Sequence, residues 1–308
     1  MLNLTEKYIN PFTDFGFKKL FGEESSKEAL IDFLNTLLKG EESEIVSLSF
    51  INNEQLGESI LDRRAIFDLY CENQEGEKFI VELQKSKQNY FKERSLYYAT
   101  FPIREQALKG DWNFNLKAVY TIGILDFVFD DDKNNPDKFF YKVKLKDVDT
   151  NELFYDKLTF IYLEMPKFSK TIDELENHFD RWMYVLRNLE KLDQYPDKLQ
   201  ERIFKEFFKK AEIAHLGPEA QKTYESSLKY YRDLNNVIDT AFDDGMEQGI
   251  EQGLEQCIEQ GIEQGIEQGA QNTKKEMVIA LHQSGSSVEF IQEITGLEIE
   301  QVRKILSF

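Results

Sequence analysis

Asp68 and Glu82 stand on two strand-like segments that, read from the sequence, bring their carboxylates together. The segments are 64–70 (RAIFDLY) and 79–84 (FIVELQ), joined by a short polar stretch containing Gly76. Two β-forming runs around a polar, glycine-bearing linker are a hairpin signal. A hairpin centred near Glu75 pairs Tyr70 with Ile80 and Asp68 with Glu82. Alternation then places Ile66, Asp68 and Tyr70 on one face, and Ile80, Glu82 and Gln84 on one face. Directly opposed pairs share a side of the sheet, with Cβ atoms about 4.5–5.5 Å apart. Two carboxylates that close in apolar surroundings repel each other and cost desolvation energy unless a cation lies between them. The chemistry implied is a metal site, with Asp68 and Glu82 as ligands. The plainer alternative is a pair of strand acids facing solvent. A register slip of one residue would send them to opposite faces. The hairpin alone leaves both readings open.

The elements that must position this pair are legible on either side of it. Asp14 to Gly22 reads as a short amphipathic helix closed by glycine. Ser25 or Ser26 caps the next helix, in which Leu30, Phe33, Leu34, Leu37 and Leu38 recur at helical spacing up to Gly40. Residues 45–50 read as a strand, followed by a polar stretch with Gly57. Residues 88–109 are helical in pattern, with Phe91, Leu96, Tyr97 or Tyr98, Phe101 and Leu108 as core candidates and a kink or turn at Pro102. The run 116–129 is continuously apolar and reads as a central strand buried on both faces. Strands follow at 139–145 and 158–163, and 172–242 is helical throughout, with Trp182, Val185, Leu186 and Leu189 on one stripe. Pro196 and the Gly217-Pro218 pair separate successive helices.

Residues 246–269 repeat the unit apolar-Glu-Gln-Gly, with Cys257 in place of one glycine. In a helix each column of this repeat advances about 40° per unit. Each glycine costs about 1 kcal/mol relative to alanine, and glutamates at i,i+4 repel. The segment is either a helix stabilised by packing along its glycine stripe or a partly disordered linker; a helical oligomerisation or spacer element is favoured. Residues 274–308 form a separate helical module with glycine stops, helix-turn-helix-like in outline. Its last segment carries only Arg303 and Lys304 beside Glu298 and Glu300. That is too few donors for a DNA-reading helix, so a packing or interaction module is expected.

The chain has 308 residues, 41% hydrophobic, with 25 Phe and 14 Tyr but 6 Pro. This supports a large folded core. The net charge of −19 argues against a protein that coats nucleic acid generally. Every charged residue in 243–269 is acidic, whereas Lys85, Lys87, Lys92 and Arg94 follow the acidic hairpin and Lys18 and Lys19 sit in the first helix. A locally basic approach to a metal site is compatible with phosphodiester chemistry. No apolar run reaches the length of a membrane span, the start lacks a signal-peptide pattern, and Cys71 and Cys257 stand in unrelated contexts. A cytoplasmic protein without a disulfide framework is expected. His178, His215 and His282 lack metal-ligand spacing and are expected on the surface or in packing.

Asp68, Glu82 and Gln84 follow the pattern D-(x13)-E-x-Q. Before and after it come Asp14-x-x-Phe17-Lys18-x-Leu-Phe-Gly22, Phe67-Asp68, Val81-Glu82-Leu-Gln84, Arg94-x-x-x-Tyr98 and the strand from Val119 to Phe129, in that order. This resembles the Rpn family of recombination-promoting nucleases, also described as transposase-like proteins of the PD-(D/E)XK nuclease superfamily, over roughly residues 5–270. The resemblance implies an α/β fold: a restriction-endonuclease-like mixed sheet flanked by helices at 1–168, then a helical region at 169–242, the repeat at 243–270 and the small module at 271–308. It implies a metal-dependent DNA endonuclease that promotes recombination or acts against foreign DNA. Asp68 and Glu82 would hold Mg²⁺, with Mn²⁺ or Ca²⁺ as alternatives. Gln84, where the superfamily has lysine, would orient a water; an amide has a donor and an acceptor but is no general base. Asp14 and Lys18 would lie beside the site, Lys18 toward a phosphate. The bland readings are a helix cap for Asp14 and an exposed lysine for Lys18. Arg94 and Tyr98, one turn apart, would meet the phosphate or brace the site. The expected partners are DNA and a second copy of the chain through the repeat helix, with no membrane. The alternative function is a weak or inactive nuclease-fold protein that works by oligomerisation and partner binding. No third widely spaced acid supports transposase chemistry, so the transposase label is read as nominal.

Overall fold

The computed structural model describes residues 6–40, 44–52, 54–55, 65–107, 113–130 and 135–306. Its chain divides into two compact units, 1–236 and 237–308, and the boundary falls within one long helix.

In the first unit α1 (Asp14–Phe21) and α2 (Lys27–Leu37) precede the sheet. Thr13 is the N-cap of α1, its hydroxyl accepting from the Gly16 N–H at 2.9 Å, and Gly22 is the C-cap. Ser26 precedes α2, but its hydroxyl donates to the Lys19 carbonyl instead of capping the helix. The expected α2 stripe is buried in full, from Leu30 to Leu38.

Strands β1 (Leu48–Phe50), β2 (Glu54–Gln55), β3 (Ala65–Ile66), β4 (Leu69–Asn73) and β5 (Lys78–Gln84) follow, then α3 (Phe91–Glu105), β6 (Val119–Leu125), β7 (Phe140–Lys146) and β8 (Leu153–Glu164). Among the described residues the main sheet has 6 strands in the order β1-β4-β5-β6-β8-β7, while β2 and β3 pair separately. β5, β6 and β8 run parallel, and the flanking pairs are antiparallel. A parallel pair needs a crossover, and α3 supplies it between β5 and β6. Every residue of β6 is buried, as a central strand covered on both faces requires. The strand expected at 45–50 is confined to 48–50, and that expected at 158–163 begins earlier, at Leu153.

One face of the sheet packs against α1, α2, α4 (His178–Asn188) and α5 (Arg202–Ala211). There Phe21 meets Phe33, Trp182 and Phe207 with ring centroids 5.4–5.9 Å apart. The helical stretch from Ile172 on thus completes the same core as the sheet, with Trp182, Val185, Leu186 and Leu189 buried as their spacing required. The other face carries Phe67, Tyr70, Ile80 and Phe101, and Phe91, Val119, Leu125, Phe160 and Tyr162. α3 covers this face and runs through Pro102 as one helix, not two pieces. Leu96 points to solvent at 55% exposure, so it is no core residue, while Phe91 and Phe101 are buried. Leu108 and Gly57 lie outside the described residues.

α6 (Pro218–Gln283) contains the whole Glu-Gln-Gly repeat, so that segment is helical. In the second unit α7 (Val288–Thr295) and α8 (Ile299–Leu306) pack with the end of α6 around Val278, Ile291 and Val302. Ser287 caps α7, and Gly296 ends it with φ +67°, the left-handed conformation that favours glycine.

Candidate active site

The hairpin has the expected register, with Tyr70 opposite Ile80 and Leu69 opposite Val81. The ladder stops at Leu69, because the chain bends at Asp68. Strict alternation fails there: Phe67 is buried beside Tyr70, and Ile66 is 64% exposed instead of sharing their face. The bend replaces ladder bonds by a reciprocal lock. The Asp68 N–H donates to Glu82 Oε1 at 3.2 Å, and the Leu83 N–H donates to Asp68 Oδ2 at 2.7 Å.

Glu82 is buried and faces α3, across the parallel pair from Gly123 of β6. A Cβ on Gly123 would lie 3.1 Å from Tyr162 and 3.3 Å from Phe91, so glycine lets α3 close over this face. Burial pushes the Glu82 carboxyl up to about 8, and the charge of Asp68 adds to the shift. Asp68 is raised as well, chiefly by burial and further by the nearby Asp14 charge, against the Leu83 N–H bond that lowers it. Two neighbouring acids whose ionisation is hindered by burial and nearby negative charge form a donor set that a divalent cation would relieve. Among the described residues no group of three or more His, Cys, Asp or Glu closes around one point. The pair therefore fits an ion that keeps solvent and substrate oxygens in its shell.

Gln84 shares the Glu82 face and is held at both ends. Arg94 Nη2 donates to Gln84 Oε1 at 2.6 Å, and Gln84 Nε2 donates to the Ser86 carbonyl at 2.9 Å. Arg94 also lies 3.9 Å from Glu82 Oε2 and rests over the rings of Phe91 and Tyr98 at 4.8 and 5.6 Å. Burial, and then the Glu82 charge, raise the Tyr98 phenol. From α3, Arg94 thus reaches Gln84 and Glu82, with the Tyr98 ring beside its guanidinium.

From the opposite side α1 contributes Asp14 and Lys18. Asp14 is the first residue of the helix and not its cap, so its carboxylate is free to accept from Lys85 Nζ at 2.8 Å. Lys18 is exposed, acts electrostatically on both Asp68 and Glu82, and has no ion pair among the described residues. Asp14, Lys18 and Asp68 line a cleft of about 610 Å³, closed opposite α1 by Thr223, Ser226, Ser227 and Tyr230 at the start of α6. The structure thus gathers all seven residues singled out in the sequence around the sheet end at Asp68. Lys85 and the α6 wall had no spacing signal of their own, because only folding carries α6 to α1.

A family model described as PD-(D/E)XK nuclease family transposase matches residues 11–241. The chain belongs to this family. Membership bears out the resemblance read from the ordered motifs and agrees with the mixed sheet flanked by helices. It makes the protein nuclease-like, in a family whose nucleases generally use divalent metal ions. No curated protein and no solved structure matched the chain. Among the described residues no helix is long and apolar enough to cross a membrane.

Proposed function

We propose that the protein is a Mg²⁺-dependent DNA endonuclease of the cytoplasm, whose cuts promote recombination or act against foreign DNA. The observation that carries this reading is the lock that joins Asp68 to Glu82 and Leu83, with the Glu82 carboxyl raised by burial and by the Asp68 charge beside it. Asp68 and Glu82 would hold the ion. Mg²⁺ suits a two-carboxylate site, since it retains several waters and shares substrate phosphates, whereas Ca²⁺ prefers more protein oxygens. When bound, the cation supplies charge neutralisation and a lowered water pKa. Gln84 orients a water by hydrogen bonding and cannot deprotonate it. Arg94 fixes that amide, and Lys18 offers its ammonium to the charge that develops on the phosphate.

The test is cleavage of supercoiled plasmid by the wild type and by Asp68→Ala, with Mg²⁺ or with EDTA. Nicking by the wild type alone, lost in EDTA, is expected. Equal cleavage by the variant overturns the role of Asp68, and no cleavage by either transfers weight to the second reading.

That second reading is a nuclease-fold protein acting by self-association and partner binding. It is favoured by the repeat helix, where Met246, Ile250, Leu254, Ile258, Ile262 and Ile266 are 51–68% exposed. A periodic apolar column of this kind marks an interaction face, and a second copy is the proposed occupant. Light scattering of the full chain tests it: a monomer at all concentrations sinks this reading.

A further inference from the structure

We propose that the cleft between α1 and the first turns of α6 is a nucleotide subsite, in which Tyr230 stacks against an unpaired base of the DNA strand and Lys18 meets its phosphate. The proposal rests on the nuclease reading above and names the part of the substrate that enters beside Asp68.

Tyr230 is a large aromatic side chain, 61% exposed, on the cleft wall that faces α1. Its ring is not a loose surface group. The ammonium of Lys85 lies 5.4 Å from the ring centroid, and Lys85, only 9% exposed, is itself anchored to Asp14 at 2.8 Å. Three contacts fix how this part of α6 is rotated. The Phe15 N–H donates to Ser227 Oγ at 3.2 Å, the Tyr231 hydroxyl donates to Asp126 Oδ2 at 2.6 Å, and Arg232 Nη2 donates to Glu6 Oε1 at 2.6 Å. A ring held in place loses little entropy when a ligand stacks on it.

Charge in the cleft favours the same ligand, although the chain as a whole carries −19. Two of the three acids that line it are paired with lysines, and the third, Asp68, accepts from the Leu83 N–H. Asp14 is held by Lys85, and Glu23 by Lys19 at 3.0 Å and Lys210 at 3.3 Å. Among the described residues Lys18 is the exposed cation left over on this wall, and the hydroxyls of Thr223 and Ser226 add polar groups opposite it. An aromatic platform beside a cationic track is how single-stranded nucleic acid is bound without sequence preference. A paired base has no free face to offer, so the strand must be open, or be opened, at this position.

The test measures binding of fluorescein-labelled single-stranded and duplex oligonucleotides of one sequence to full-length Asp68→Ala, which serves as a cleavage-deficient parent. It adds Tyr230→Ala and Tyr230→Trp in that background, with plasmid cleavage by the wild type run alongside. Removing one base–aromatic stack is worth about 1–3 kcal/mol, or roughly 5- to 150-fold in affinity. The expected result is a loss of at least about fivefold for single strand on Tyr230→Ala, with Tyr230→Trp retaining the parent's affinity. A smaller loss, or an equal loss in Tyr230→Trp, overturns the stacking platform; the nuclease reading then still stands if the wild type cuts plasmid. No binding of either oligonucleotide together with no cleavage by the wild type overturns both.

Discussion

Arg94 Nη2 and Gln84 Oε1 are joined at 2.6 Å across the gap between α3 and β5, at the position where the PD-(D/E)XK pattern carries lysine. The tie explains how an amide is kept in a place otherwise suited to a cation. Arg94 supplies the positive charge from the helix, and the strand residue supplies the acceptor that receives it.

Gln84→Lys should therefore weaken the protein instead of restoring a standard motif. The new ammonium would face the Arg94 guanidinium, with Glu82 as the nearby acid. An expected loss of about 1–3 kcal/mol, the range for a buried polar group left badly partnered, is to be read from urea denaturation. Combining it with Arg94→Gln should recover part of that loss, because the pair acts as one unit. Strictly additive losses would show that Arg94 and Gln84 do not communicate.

Divalent-cation binding should be linked to protons. The Glu82 carboxyl, pushed up to about 8, is mostly protonated at pH 6 in the metal-free protein. A cation must displace that proton. Affinity for Mn²⁺ or Mg²⁺ should thus rise up to about tenfold per pH unit as pH approaches 8, then level off. The same raised value means that the metal-free fold binds more protons than the unfolded chain between the ordinary Glu range and about 8, so its stability falls as pH rises through that window. Calorimetric titration at several pH values checks the first statement and thermal melts check the second. A pH-independent affinity would remove Glu82 from the ligand set.

His178 forms a second pH-sensitive contact, away from the site. Its Nε2 lies 2.6 Å from Asp32 Oδ2 and its Nδ1 lies 2.6 Å from Glu201 Oε2, and Trp182 Nε1 donates to the same Asp32 oxygen at 2.6 Å. This is neither the surface nor the plain packing role expected for it. The Asp32 hydrogen bond, helped by the charges of Asp32 and Glu201, outweighs burial and raises the imidazole pKa. A raised histidine stabilises the fold fully below its unfolded pKa, and that contribution is lost as pH climbs through the folded value. His178→Gln should cost about 1–2 kcal/mol at pH 5.5 and much less at pH 9. An equal cost at both pH values would show that the ring is not charged in the fold.

Gly16→Ala should displace α1. A Cβ there would sit 2.0 Å from the Asn10 carbonyl oxygen and 2.7 Å from Thr13 Oγ1. The Asn10 loop cannot yield freely, since its N–H donates to the Tyr224 hydroxyl at 2.9 Å and its carbonyl accepts from Thr13 Oγ1 at 2.8 Å. Overpacking of this kind costs about 1–3 kcal/mol. Because α1 carries Asp14 and Lys18, DNA cleavage should fall by more than the lost folded fraction explains. Wild-type-like melting would show that the loop moves aside.

Local periodicity by itself determined the α2 stripe, the buried run of β6, the helices around Trp182 and the hairpin register that brings Asp68 to Glu82. Each is a pattern within a few neighbouring turns or one strand pair, where backbone geometry dictates which side chains share a face. The flip at Phe67 was not legible, because a bend at Asp68 is set by bonds to Glu82 and Leu83 from the next strand. Helix α3 continues through Pro102 for a related reason: its packing on β6 and around Phe101 opposes the break that proline favours. Only the tertiary structure decided that Lys85 meets Asp14, that Arg94 holds Gln84, and that Tyr230 closes the cleft more than two hundred residues after α1 begins. Such contacts join distant stretches of chain, and no spacing rule encodes them, since the shared core that draws the elements together sets their distance.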